Sequence, residues 1–113
     1  MQIHEIEMEI RQAIQDIESY GMKYAKARGV SYQLQEQRKV VLAELMKAED
    51  INLPENKRET LARTRERYRQ HIEGTGEAIE HELIFKARYE AAYAKYEALR
   101  SLMSLTKKQM ETI

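Results

Sequence analysis

The sequence predicts an all-α fold, a long antiparallel helical hairpin of coiled-coil type that dimerises into an elongated four-helix bundle. Three observations carry this expectation. Apolar residues recur at alternating spacings of three and four along Ile3, Ile6, Ile10, Ala13, Ile17, Tyr20, Tyr24, Ala27, Leu34, Val41, Leu45 and Ala48, with only Ser31 and Arg38 interrupting the register. Such spacing places one narrow stripe along a helix and supercoils it on a partner. The composition is that of long helices, with one proline, four glycines, no tryptophan and 34% charged residues. No segment alternates apolar and polar residues between turn residues, so strand signals are missing.

Helix one is expected over about residues 2–49, starting where Glu5, Glu7 and Glu9 lie near the positive end of the helix dipole. Gly21 and Gly29 each cost about 1 kcal/mol relative to alanine inside a helix, yet the stripe keeps its phase across both. One helix of about 69 Å, at about 1.5 Å per residue, follows.

The turn falls at about residues 50–56. Asn52-Leu53-Pro54-Glu55 and Asn56-Lys57-Arg58-Glu59 read as overlapping capping boxes, and Pro54 suits a first turn. A connection this short makes the helices antiparallel neighbours. With the turn centred near Leu53, Met103 should lie by Ile3, Tyr96 by Ile10, Tyr93 over Ala13, Tyr89 by Ile17 and Tyr68 by Arg38. Arg38 would gain a cation–π contact from Tyr68 or extend to solvent.

Helix two is expected over about residues 57–103. Its stripe runs through Leu61, Tyr68, Ile72, Ile79 and Leu83, then shifts phase at Leu83-Ile84-Phe85 to continue as Tyr89, Ala92, Tyr96, Leu99 and Met103, with Tyr93 beside it. A stripe this broad can touch two neighbours, which favours a bundle. Gly74-Thr75-Gly76 is the weak point, read as a soft but continuous stretch with a break as the alternative. Thr106-Lys107-Lys108-Gln109 resembles a further capping box, so a short stub is expected over about 106–113.

Chemistry is sparse. The chain has no cysteine, which removes disulfides, thiol catalysis and thiolate metal sites and fits a reducing compartment. His4, His71 and His81 lack the glutamate three residues earlier that carboxylate-bridged di-metal bundles use: Tyr68 precedes His71 and Ala78 precedes His81. Ser19, Ser31, Ser101 and Ser104 lie in helical surroundings without a nucleophile elbow. Gly74-Thr75-Gly76 lacks the lysine of a phosphate loop. Neither an enzyme, a cofactor nor a metal site is expected. No apolar run approaches the roughly 20 residues of a membrane span, and a cytoplasmic protein is expected.

Net charge is zero, but the charges are sorted. Lys57, Arg58, Arg63, Arg65, Arg67 and Arg69 crowd the start of helix two, and the hairpin brings Arg38, Lys39 and Lys47 alongside. That basic end could contact phosphates or an acidic protein, or simply pair with Glu55, Glu59 and Glu66. Glu5, Glu7, Glu9, Asp16 and Glu18 make the other end acidic. Among the seven tyrosines, Tyr32 lies off the stripe and is expected to be exposed.

At Tyr24-Ala25-Lys26-Ala27-Arg28, Gln37 to Met46, Tyr89-Glu90-Ala91-Ala92 and Tyr96 to Ser101, the chain resembles a group of small helical proteins encoded by tailed bacteriophages. The resemblance covers most of the chain in order and rests on helix-forming residues of low specificity; Gly74 and Gly76 depart from it. It implies a phage origin in the host cytoplasm, a place among early genes near recombination or single-strand-DNA functions, and no catalytic residue. Small secreted hairpin dimers with a Trp-X-Gly turn match in length only, since this turn reads Ile51-Asn52-Leu53-Pro54. The reading reached from the sequence is a non-enzymatic, homodimeric interaction protein whose target is a host or phage protein in DNA metabolism or defence. The alternatives are a nucleic-acid-binding recombination accessory using the basic tip, and an assembly scaffold.

Overall fold

A computed structural model describes residues 1–112; Ile113, the last residue of the expected stub, lies outside the described residues. The fold is all-α, with three helices and no strand among the described residues: α1 over Ile3–Ala48, α2 over Glu55–Arg63 and α3 over Glu66–Glu111. α1 is unbroken across Gly21 and Gly29, as the constant phase of its stripe requires.

The connection is built differently from the expected capping boxes. The Asp50 carboxylate accepts the Asn52 N–H at 3.0 Å, and the Leu53 N–H closes a turn onto the Asp50 carbonyl at 3.1 Å. α2 starts behind Pro54, at φ −57° and ψ 152°, with no side-chain cap. The Pro54 carbonyl instead takes both the Lys57 and Arg58 N–H groups, and the Asn56 side chain reaches only its own neighbour, the Lys57 N–H at 2.9 Å. Proline's fixed φ has started the helix where asparagine was expected to.

Expected helix two is interrupted, though not at its glycines. The break is at Thr64 and Arg65, where each N–H bonds three residues back, to Leu61 and Ala62, and the Thr64 hydroxyl bonds the Leu61 carbonyl at 2.6 Å. Three-residue bonds tighten and end α2. α3 then runs straight through Gly74-Thr75-Gly76, because Thr75 faces the core, 9% exposed, and donates its hydroxyl to the His71 carbonyl at 2.8 Å. No separate stub forms at Thr106 either: its hydroxyl bonds back to the Leu102 carbonyl inside the helix.

Apart from Gly74 and Ile79, which flank the seam, the buried and half-buried residues of α3 are Tyr68, His71, Thr75, Ala78, Glu82, Phe85, Tyr89, Ala92, Tyr96, Leu99, Met103 and Thr106. These alternate by three and four without a slip, so the expected phase shift at Leu83-Ile84-Phe85 does not occur. Leu83 is 57% exposed and Ile84 40%. The side chains that seemed to shift the phase lie on a neighbouring row.

The chain forms two compact units. One comprises residues 1–25 and 83–113, the other residues 26–82. In the first, Ile6, Ala13, Ala92 and Leu99 are buried, and the Tyr89 ring lies against Gly21, 3.3 Å from where a Cβ would stand, with the Tyr24 ring 6.3 Å away centre to centre. Tyr89 thus sits one turn along from its expected place beside Ile17. Tyr93, expected over Ala13, is 46% exposed. The reason is steric: glycine leaves the hollow that the ring needs. Arg88 lies 5.9 Å from the centre of the Tyr20 ring, a cation–π distance.

The second unit has a polar interior. Ser31 is fully buried and its hydroxyl accepts a hydrogen bond from Gln35 at 3.0 Å. His71 Nε2 lies 2.8 Å from the Leu34 carbonyl oxygen, and since a carbonyl only accepts, this nitrogen carries the proton. Small side chains at Ser31, Thr75 and Ala78 fill the seam here. α2 contributes the buried Ala62.

Candidate interaction surface

The basic residues picked out from the sequence all lie in the unit spanning residues 26–82, and three of them are occupied. Arg65 makes a two-pronged bridge to Glu49, Nε to Oε1 at 2.6 Å and Nη2 to Oε2 at 2.7 Å. Arg67 pairs with Glu44, and Arg63 with Glu59 at 2.7 Å. The Arg65 hydrogen bond, helped by its charge and partly opposed by burial, holds the Glu49 carboxyl below the usual carboxylate range. The carboxylates in turn raise Arg65 and Arg63 above the ordinary guanidinium value, chiefly through the same hydrogen bonds. Arg58 is half-buried, and its buried Nε finds no hydrogen-bond partner among the described residues. Lys57 and Arg69 are exposed. Of the carboxylates expected as partners, Glu59 serves; of the other two partners, Glu44 lies in the last turns of α1 and Glu49 just beyond its end.

Arg38 and Lys39 stand elsewhere. With Gln35 and Glu36 they form one wall of a groove of about 480 Å³, whose other wall is Ile72, Thr75, Gly76 and Ile79 of α3. Arg38 holds a seam position by spacing yet is exposed, and it makes no cation–π contact with Tyr68. It extends to solvent, which opens the groove beside it. Tyr68 itself is 8% exposed.

The helix-pairing residues expected from the sequence divide cleanly. Ile6, Ala13, Tyr68 and Leu99 are buried; Ile3, Ile10, Ile17, Tyr20, Tyr24, Leu34, Val41, Leu45, Ile79, Tyr89 and Tyr96 are half-buried. Ile72 and Tyr93 are exposed, at 40% and 46%. Sequence reasoning missed the polar seam residues His71 and Thr75, which strict three-and-four counting back from Phe85 would have reached.

In the other unit, Tyr89, Tyr93 and Tyr96 form a ladder with ring centres 6.5 and 6.3 Å apart, beside Glu90 and Glu97. Among the described residues, no three His, Asp or Glu side chains converge as metal ligands, and no helix is long and apolar enough to cross a membrane. No family model matches the chain, and no curated protein or solved structure matches it either.

Proposed function

We propose that this chain is a non-enzymatic interaction protein that pairs with a second copy of itself and presents its helical surface to a protein partner. One observation carries the reading. The hairpin leaves more large apolar side chains outside than inside: the buried hydrophobics are Ile6, Tyr68, Leu99 and four alanines, while Ile14, Val30, Tyr32, Val40, Ile72, Leu83, Ile84 and Tyr93 are all at least 40% exposed. We take these side chains as the ones that a partner would cover. The area agrees, since the chain exposes 8725 Å², about 2,200 Å² more than the roughly 6,500 Å² of a folded monomer of its size. An excess of that order is what obligate dimers bury.

The bacteriophage setting, and a target in DNA metabolism or defence, rest on the resemblance drawn above. The alternative of phosphate contact at the basic end has weaker support, because Arg63, Arg65 and Arg67 already hold carboxylates. Sedimentation equilibrium tests pairing directly, and titration with single- and double-stranded DNA at two salt concentrations tests the alternative. A dimer that ignores DNA is the expected result. A monomer whose DNA affinity falls steeply with salt would reverse the assignment.

A further inference from the structure

Resting on the reading that a protein partner binds this helical surface, we infer that the outer face of α3 at Tyr93 takes arginine side chains from a basic segment of that partner. Tyr89, Glu90, Tyr93, Ala94 and Glu97 line an open hollow of about 370 Å³ in the unit of residues 1–25 and 83–113. Its inner wall is set within the chain: the Tyr89 ring rests in the notch at Gly21, with the Tyr24 ring 6.3 Å away. Its outer wall is the Tyr93 ring, 6.5 Å from Tyr89 and inclined to it by 45°. Ala94, with only a methyl group, leaves the row between Glu90 and Glu97 open.

Two features of this hollow attract a cation. Glu90 and Glu97 stand three residues before and four residues after Tyr93, so one carboxylate flanks the ring on each side along the helix. Both are exposed, and neither is in an ion pair among the described residues, although Lys86 is four residues from the first and Arg100 three from the second. The ring faces are the second feature. Elsewhere in this unit the chain sets its own cations over tyrosine: Lys23 and Arg88 at Tyr20, 5.5 and 5.9 Å from the ring centre, and Arg100 at Tyr96, 5.8 Å. Tyr89 and Tyr93 have no such cation among the described residues. Two rings and two carboxylates thus share one space without the positive charge that both attract.

The same groups select among cations. A quaternary ammonium has no N–H to give a carboxylate, and a lysine ammonium is a point charge with no plane to lay on a ring. A guanidinium does both, stacking on Tyr93 while its edge donates to Glu90 or Glu97. The two carboxylates repel phosphate, which separates this face from the tyrosine platforms that stack nucleic-acid bases above a basic groove.

The test is NMR of the full chain with a blocked Gly-Arg-Gly-Arg-Gly peptide. The peptide's diffusion gives the affinity, and movement of the Tyr89 and Tyr93 ring signals gives the place. Saturable binding is expected, weaker with lysine in place of arginine and absent with citrulline, which keeps the shape and removes the charge. Tyr93→Leu should weaken it about fivefold, and Glu90→Gln with Glu97→Gln about tenfold, whereas Tyr93→Phe keeps the ring and should stay within about twofold. All three positions are exposed, and circular dichroism verifies that the variants keep their helix content. Binding that survives citrulline, that prefers trimethyllysine, or that Tyr93→Leu leaves unchanged would overturn the assignment. So would ring signals that move on addition of single-stranded DNA, or on raising the concentration of the chain alone, the latter meaning that a second copy covers the rings. Sedimentation equilibrium on the same samples keeps the two readings apart. A dimer that takes up no peptide overturns this site and leaves self-pairing standing; a monomer that binds the arginine peptide supports the site and overturns self-pairing.

Discussion

His71 reaches across the helix pair to the backbone, its Nε2 2.8 Å from the carbonyl oxygen of Leu34. The contact ties a side chain of α3 to the main chain of α1 in a stretch whose seam is otherwise filled by small or polar residues. Replacing His71 by leucine keeps the bulk and removes the donor, and should cost about 1 kcal/mol in urea unfolding. His71→Gln, which retains a donor, should recover part of that loss. Equal losses in both variants would mean that packing, and not the hydrogen bond, is what His71 supplies.

The four glycines should not respond alike to alanine. Gly29 and Gly74 have open space where a Cβ would stand, so Gly29→Ala and Gly74→Ala should each raise stability by about 0.5–1 kcal/mol. Gly21→Ala should gain clearly less, or lose, because the new methyl would lie 3.3 Å from the Tyr89 ring. Thermal unfolding of the three variants decides, and a gain at Gly21 matching the others would contradict the close approach of Tyr89.

Ser31 is fully buried in the seam. Ser31→Leu restores an apolar stripe on paper, yet should destabilise by about 1–3 kcal/mol by overfilling that layer. Ser31→Ala should stay within about 1 kcal/mol of the wild type. A stabilised leucine variant would show that the layer has room to spare.

The Glu49 carboxyl is held below its ordinary range by Arg65. A group whose folded value is depressed adds stability above its unfolded value and loses it as pH falls through the folded one. Glu49→Gln should therefore lower stability at neutral pH and show a smaller loss of stability on acidification, with the two chains converging at low pH. Parallel curves in acid titrations followed by circular dichroism would remove Glu49 from the acid response.

α1 could be read from the sequence because its seam is apolar almost throughout, so hydrophobicity and geometry point to the same side. α3 could not, because its seam carries His71, Thr75, Ala78 and Glu82 while Ile72, Ile79 and Leu83 occupy the adjacent row. Counting apolar residues follows the wrong row until Phe85 and then registers a jump that the helix does not make. The turn misled for a local reason: two asparagines three residues ahead of glutamates resemble caps, but the proline between them had already set the backbone. The basic cluster was visible as composition, whereas its neutralisation depends on Glu44 and Glu49, sixteen and more residues away in sequence and adjacent only once the chain doubles back. The groove between Lys39 and Ile72 depends on the same doubling back.

Tyr89 against Gly21 has a consequence for alignment. Two helices with a seven-residue repeat can slide past one another by a heptad and still bury apolar side chains. Here such a slip would carry the Tyr89 ring off glycine and onto Ile14 or Arg28, where no hollow exists. Gly29, the other glycine of α1, is eight residues from Gly21 and off the repeat. The ring and its notch work as a key, rejecting misaligned pairings that a uniformly greasy seam would tolerate.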